Sequence, residues 1–223
     1  MNNITIPGEV QYIINTFAAS SSEAYIVGGC VRDSVLGKNP TDWDICTPAL
    51  PERTMELFKD HHIIKTGLRH GTITLILNHK PFEITTYRID GAYTDNRRPD
   101  NVEFVSSLKE DLSRRDFTIN AMAYNPSEGI IDFFGGIEDL KNGIIRCVGD
   151  PDRRFEEDAL RIMRALRFAA VLGFSVHKKT REAVLRNKAR LSNIAAERIA
   201  AELNKAIIAE GVKIGRASCR ERV

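Results

Sequence analysis

Two aspartates open the list of residues whose types and spacing could do chemistry. Asp42 and Asp44 flank Trp43 in TDWDICT, a segment that reads as a short strand. Alternation along a strand would put both carboxylates on one face and Trp43 on the other. Acidic side chains held side by side repel each other, and a hard cation such as Mg2+ relieves that repulsion through oxygen ligation. A solvated strand edge is the competing reading, so the context has to decide. Just upstream, Gly28-Gly29 ends a strand and opens a helix, where bare backbone N–H groups can hold phosphate oxygens. Arg32, in the first part of that helix, adds a guanidinium suited to phosphate. Asp33 is placed to orient Arg32 or cap the helix rather than to bind metal. A third acid, Glu83, lies in FEITTYR on the face opposite Phe82 and Ile84, and a neighbouring strand could bring it beside the aspartates.

GGCVRD followed by TDWD resembles the signature of the nucleotidyltransferase superfamily that includes DNA polymerase β. Within it, the likeness is to the branch of bacterial poly(A) polymerases and class II CCA-adding enzymes. The resemblance implies that Asp42 and Asp44 bind the metals, with Mg2+ as cofactor; Glu83, from its place in the strand pattern, is taken with them as a catalytic residue. The resemblance also implies in-line attack of a 3′-hydroxyl on an α-phosphate with pyrophosphate leaving, the metal ions holding the triphosphate and stabilising both oxygens.

LSRRDFTIN sets Arg114, Arg115, Asp116 and Asn120 at near-helical spacing. It resembles the family's RRDxxxN motif, whose residues contact the ribose and triphosphate of the incoming nucleotide. That likeness assigns Arg115 to phosphate, and Asp116 and Asn120 to the sugar. Intrahelical pairing of Asp116 with a neighbouring arginine is the alternative.

In EEDALRIMRALRF, Asp158, Arg161, Arg164 and Arg167 recur every third residue and so would line one slowly rotating helix stripe. Leu160, Met163, Leu166 and Phe168 can pack elsewhere around the helix. A solvated cationic face is the ordinary explanation for such arginines. Base edges supply another. A carboxylate only accepts hydrogen bonds and a guanidinium only donates them. Cytosine and adenine each offer an amino donor beside a ring-nitrogen acceptor, and guanine and uracil present the opposite order. One Asp–Arg pair can complement C and A while leaving G or U mismatched. The segment resembles the family's EDxxR motif, in which protein acts as template, with Asp158 and Arg161 in the motif positions. Further on, AAERIAAE resembles the helix motif that supports the template helix, and Glu197 and Arg198 fit it.

GLRHGTITLIL, FEITTYRIDGAYTDNRRPD and VEFVSSLKEDLSRRDFTINAMA read more like CCA-adding members than poly(A) polymerases. The polar loop at 92–100, with Arg97 and Arg98, resembles the flexible loop used in changing from C to A addition. The partners implied are CTP, ATP and a tRNA 3′ end. A poly(A) polymerase using ATP alone, and a non-catalytic nucleotide- or RNA-binding module on the same fold, stay open as alternatives.

The elements that must position these groups follow from periodicity. An amphipathic helix over 1–20 precedes the strand AYIVGG and the helix CVRDSVLG, closed by Gly37; TDWDICT and the helix PERTMELFKDH come next. GTITLIL and FEITTYRI alternate as strands. The pattern reads as helical over 106–125, and GIIDFFGGIEDLKNGIIRCVGD reads as a short hairpin closing the first domain. After Gly149-Asp150-Pro151 the composition changes, and helical periods run through RFEEDALRIMRALRFAAVLGF, KKTREAVLRNKARL and NIAAERIAAELNKAIIAE. The fold class is therefore α+β: a polymerase β-like head at 1–148, followed by an all-α neck at 149–213.

Charge divides in the same place. Residues 1–150 hold 15 Lys/Arg against 21 Asp/Glu, and residues 151–213 hold 14 against 8. An acidic front and a basic back suit metal binding and phosphate contact, although two unrelated surfaces would give the same numbers. With hydrophobic residues at 43% and charged residues at 28%, disordered and collagen-like classes drop out. No run approaches the roughly 18 apolar residues of a membrane helix, and MNNITIPGEVQYIINTF does not read as a signal peptide. A soluble, cytoplasmic protein is expected. Cys30, Cys46, Cys147 and Cys219 are scattered without a CxxC pair, which points to free thiols.

Class II enzymes continue well past this length, so a C-terminally truncated member is expected. The final ten residues, IGRASCRERV, break the helical pattern and match nothing in the family. They can be encoded by ATC GGA AGA GCG TCG TGT AGG GAA AGA GTG, which resembles a sequencing adapter read through in frame. A non-native tail at 214–223 is the expectation, with a native basic tail as its rival.

Overall fold

Val10, Ile13, Ile14 and Phe17 recur at the spacing of one helix face, and all four are buried along α1 (Gly8–Ala19). Pro7 stands just before this helix, where its missing N–H costs nothing. The computed structural model of the 223-residue chain describes residues 4–91 and 102–208. The loop at 92–100, with Arg97 and Arg98, and the segment 214–223 lie outside the described residues. Two compact units divide the described chain between Leu140 and Lys141.

In the first unit, β1 (Tyr25–Val27) leads into α2 (Gly29–Val35), then β2 (Asp44–Thr47), α3 (Pro51–Leu57) and β3 (His62–Ile64). The chain continues through β4 (Thr72–Leu77), β5 (Lys80–Thr86), β6 (Arg88–Asp90), β7 (Val102–Phe104), α4 (Leu108–Ser113), β8 (Met122–Asn125), β9 (Gly129–Asp132) and α5 (Gly136–Asn142). A seven-stranded mixed sheet has the order β3-β4-β5-β2-β1-β8-β9, with β6 and β7 forming a separate pair. Alternation holds where the sequence alternates: Ile73, Leu75 and Leu77 on β4, and Phe82, Ile84 and Thr86 on β5, turn inward. Central β1 is apolar throughout and buried throughout, as a strand covered on both faces must be. Tyr25, Val27, Cys46, Tyr87, Leu108, Leu112 and Ala123 pack into one core cluster that joins α4 to the sheet.

Two sequence expectations fail in this unit. The segment 106–125 is not one helix: α4 stops at Ser113, a 3-10 turn occupies Thr118–Asn120, and Met122–Asn125 is the strand β8. Tertiary pairing overrides the periodicity, because β8 lies between β1 and β9. Nor is 129–150 a hairpin. The hairpin joins β8 to β9, and Asp132 then starts α5 by accepting hydrogen bonds from the N–H groups of Gly136 and Ile137 at 2.9 Å each.

The second unit contains β10 (Ile144–Ile145), α6 (Pro151–Glu157), α7 (Leu160–Leu172), β11 (Ser175–Val176), α8 (Lys178–Asn187) and α9 (Ala196–Ile207). It is helical apart from the short parallel pair β10–β11. Asp150 caps α6 through the N–H of Arg153, with Pro151 at the first helical position. The expected long helix through 154–174 is broken in two at Asp158, whose backbone is extended (φ −141°, ψ 104°). Ala159, Leu160 and Ile194 form the buried cluster beneath that break, with Met163 and Ile199 against it.

Candidate active site

Strand β2 begins at Asp44, so Asp42 and Trp43 precede the strand rather than lying within it. The expected sidedness survives in exposure: Asp42 and Asp44 are exposed and Trp43 is buried. Strand β5 runs parallel to β2, and the register sets Asp44 opposite Glu83. Paired residues on adjacent strands share a face, so these carboxylates stand side by side. Crowding by the surrounding protein raises the Asp44 carboxyl above the usual aspartate range; Glu83 and Asp42 push it further, and Arg115 opposes them. Among the described residues, no group of three or more His, Cys, Asp and Glu is placed to hold a metal ion. An open set of exposed carboxylates suits a hard cation that keeps part of its water shell.

Behind the carboxylates, β1 ends in Gly28, held at φ 79° and ψ −129°, a conformation that side chains other than glycine rarely adopt. A Cβ on Gly28 would sit 3.2 Å from the Arg115 guanidinium, so the turn and the arginine are in close approach. On α2, Arg32 donates to both Asp33 oxygens at 2.9 Å and to Asn120 Oδ1 at 2.7 Å. Asp33 therefore orients Arg32. Asn120 in turn donates to Asp116 Oδ1 at 3.2 Å, and the same oxygen accepts the Phe117 N–H at 2.8 Å. Asp116 accepts from Asn120 across a turn. Arg32, Asp116 and Asn120 thus form one hydrogen-bonded chain. Burial disfavours the Arg115 charge, but Asp111, Cys46 and Asp44 outweigh that and raise its pKa.

In the second unit, Asp158 stands between α6 and α7, so it is not part of the helix stripe carried by Arg161, Arg164 and Arg167. Its Oδ1 accepts the Leu160 N–H at 3.0 Å, and its Oδ2 lies 3.6 Å from Arg198 on α9. Arg161 donates to Glu157 at 2.8 Å and to the Arg154 carbonyl at 3.3 Å. Arg164 and Arg167 both lie over the Phe168 ring, and Arg167 also pairs with Glu202 of α9 at 2.6 Å. Glu197 and Leu166 are exposed. Cys30, Cys46 and Cys147 are buried free thiols, and burial pushes Cys30 up to about 11.

A family model described as the poly A polymerase head domain matches residues 24–146. The chain belongs to the poly A polymerase head-domain family. A second model, described as a probable RNA and SrmB-binding site of polymerase A, matches residues 173–215. A CCA-adding enzyme of Leuconostoc mesenteroides is 48% identical to this family member over 200 residues, covering 90% of this chain and 49% of the relative. The crystal structure of Bacillus stearothermophilus CCA-adding enzyme in complex with CTP superposes with a TM-score of 0.81 at 42% identity, covering 91% of this chain and 49% of that one. Thermotoga maritima CCA-adding enzyme complexed with tRNA gives 0.77 at 29% identity, with 93% and 49% covered. The chain thus spans about half the length of the curated relatives it matches.

Sequence reasoning missed three acids in this poly A polymerase-family chain. Asp111 is fully buried and binds Arg114 and Arg115. Glu157 bridges Arg153, Arg154 and Arg161. Glu202 holds Arg167. For the first two the signal was present, an acid three or four residues before an arginine. Glu202 carries no local signal, because its partner lies 35 residues away.

Proposed function

We propose that this chain carries the catalytic and nucleotide-selecting parts of a template-independent RNA nucleotidyltransferase that adds CCA to tRNA 3′ ends from CTP and ATP. The observation that carries the proposal is the pairing of Asp44 with Glu83 on an exposed sheet face, beside the Gly28 turn that Arg115 packs against. With Asp42 and Asp44 as oxygen donors and Glu83 beside Asp44, a bound Mg2+ would supply the positive charge that stabilises the entering and leaving oxygens. Arg115 and Arg32 present guanidiniums to the triphosphate, with the backbone of Gly28 and Gly29 beside them. Asp116 and Asn120, already locked in one hydrogen-bonded chain with Arg32, hold the ribose. Pre-locked partners lose little entropy when the nucleotide arrives.

In the second unit we assign base reading to Asp158 and Arg161, with Arg164 and Arg167 giving positive charge for the nucleotide. Asp158 is held by the Leu160 N–H and Arg198, and Arg161 by Glu157. An acceptor and a donor held in fixed positions three residues apart suit the pairing edge of a base. The cytoplasm, where thiols such as Cys30 and Cys46 stay reduced, is the compartment this reading calls for.

The test is transfer to a tRNA ending just before CCA, with Mg2+ and each nucleoside triphosphate supplied alone. The expected result is CMP incorporation from CTP, AMP incorporation once two C residues are present, and none from GTP or UTP. Incorporation from ATP alone on many RNA 3′ ends would replace this reading with a poly(A) polymerase. Absence of any Mg2+-dependent turnover at saturating RNA would overturn it.

A further inference from the structure

Asp111 is a carboxylate with no exposed side-chain surface, placed on α4 below the site. Four donors converge on it. Oδ1 takes Arg114 Nε at 3.0 Å, Arg114 Nη2 at 2.8 Å and the Arg88 backbone N–H at 3.3 Å; Oδ2 takes Arg115 Nη2 at 3.3 Å. Burial opposes its charge, but Arg115 and Arg114 prevail and hold the carboxyl below the usual aspartate range. One buried anion therefore faces two adjacent cations.

The Arg115 guanidinium is divided between two surroundings. Nη2 is tied back to Asp111, Nη1 is the atom a Cβ on Gly28 would meet, and buried Nε has no hydrogen-bond partner. On the far side, Asp44 is close enough for the two charges to affect each other. An arginine has long, rotatable reach, and its strongest available partner governs where the fork rests. Without Asp111, that partner would be the exposed Asp44, and the fork would leave the Gly28 turn for the carboxylate face.

We infer that Asp111 is a positioning residue for nucleotide binding: it anchors Arg115 beside Gly28, away from Asp44, so that its free donors remain available to a triphosphate. This rests on the assignment of Arg115 to phosphate. Asp111 itself touches no substrate, and its influence is confined to the phosphate end of the nucleotide. Loss of an anchor of this kind weakens triphosphate binding selectively, whereas general damage to the fold weakens every nucleotide alike.

The experiment compares CTP and CMP affinity of the chain and its variants by equilibrium titration without RNA, with thermal unfolding recorded for each. Asp111→Asn keeps the shape but removes the charge, and should weaken CTP at least about tenfold, on the order of 1.4 kcal/mol, while CMP changes much less. Asp111→Glu keeps the charge and shifts it by one methylene, so it reports even where the Asn variant does not fold; an intermediate loss confined to CTP is expected. Equal losses for CTP and CMP, or no loss in either folded variant, would overturn the inference. Arg115→Ala separates the two levels of the argument. If that variant binds CTP normally, the phosphate assignment of Arg115 fails and the inference falls with it. If it weakens CTP but Asp111→Asn and Asp111→Glu do not, only the positioning role fails.

Discussion

The carboxylates of the two units are strained in different ways. Asp44 is raised first by crowding and then by like charge from Glu83 and Asp42 on an open sheet face. Asp158 is raised by burial alone, while its helix-start hydrogen bond and Arg198, Arg161 and Arg164 all pull it down. In the first, Arg115 stands against two like charges. The second already has charges of opposite sign and is short of water. A site of the first kind rewards a cation, and a site of the second kind rewards a well-aimed hydrogen bond in a dry place. Catalysis and base choice, on the proposed reading, draw on these two strains separately.

The largest effect that tests this contrast is on turnover. Asp44→Ala or Asp42→Ala should cut CMP transfer by about several orders of magnitude, because the protein's part in phosphoryl transfer is mainly positioning and charge stabilisation. Both variants should fold, since each removes one member of a repelling set. Chelation of the metal should match them in the intact chain. Near-normal transfer by either variant would remove the head's half of the comparison.

A smaller effect is expected on selectivity. Asp158→Ala and Arg161→Ala should each reduce the preference for CTP and ATP over GTP and UTP by about tenfold to a hundredfold, the size expected for wrong-way hydrogen bonds of about 1–3 kcal/mol. Competition assays with mixed triphosphates measure it directly. Uniform loss with all four nucleotides would mean that the break between α6 and α7 holds phosphate rather than reading bases. Acid sharpens the same comparison. Asp158 titrates above the ordinary aspartate value, and once protonated it can donate, so selectivity should fall as pH drops into that window.

The placement of these residues was legible in sequence to different degrees. Asp44 and Glu83 could be placed because strand alternation is local and the β2–β5 pairing needs only neighbouring strands, whereas Asp42 lies just before the strand it was read in. Gly28, Arg32, Arg115, Asp116 and Asn120 were named, but their arrangement was not: periodicity suggested one helix where a turn and a strand occur. Helix 154–174 failed for a related reason. Its hydrophobic period passes unbroken through Asp158, and nothing local shows that a carboxylate will take the Leu160 N–H and start a new helix there. Asp111 reads as an ordinary charged position in LKEDLSRR; only burial against the core of Leu108 and Leu112 turns it into an anchor.

A third prediction concerns the Gly28 turn. Gly28→Ala forces a side chain onto φ 79° and ψ −129° and brings a methyl to 3.2 Å from Arg115. The backbone strain should cost about 1–3 kcal/mol of stability. If the turn and Arg115 act together, CTP affinity should fall as well. A variant that unfolds earlier yet binds CTP normally would uncouple the turn from the phosphate end.

The smallest effect has the most specific sign. Because Asp44 binds its proton more tightly folded than unfolded, its contribution to stability is greatest below the unfolded value of 3.8 and declines as pH rises through the raised folded value. At neutral pH without metal, Asp44→Asn should therefore melt no lower than the parent chain. The gain is limited to at most about 1 kcal/mol, because the carboxylate is exposed and solvent screens it, which corresponds to roughly 2–4 °C. Lowering the pH toward 4 should erase the difference, and so should high salt. Adding Mg2+ should reverse the order, stabilising the parent by mass action while leaving the variant behind. Differential scanning calorimetry at two pH values, with and without Mg2+, reads all four conditions. If Asp44→Asn melts well below the parent at neutral pH without metal, Asp44 is held by favourable contacts in the folded chain, and the contrast between an open, self-repelling head and a paired, buried neck does not stand.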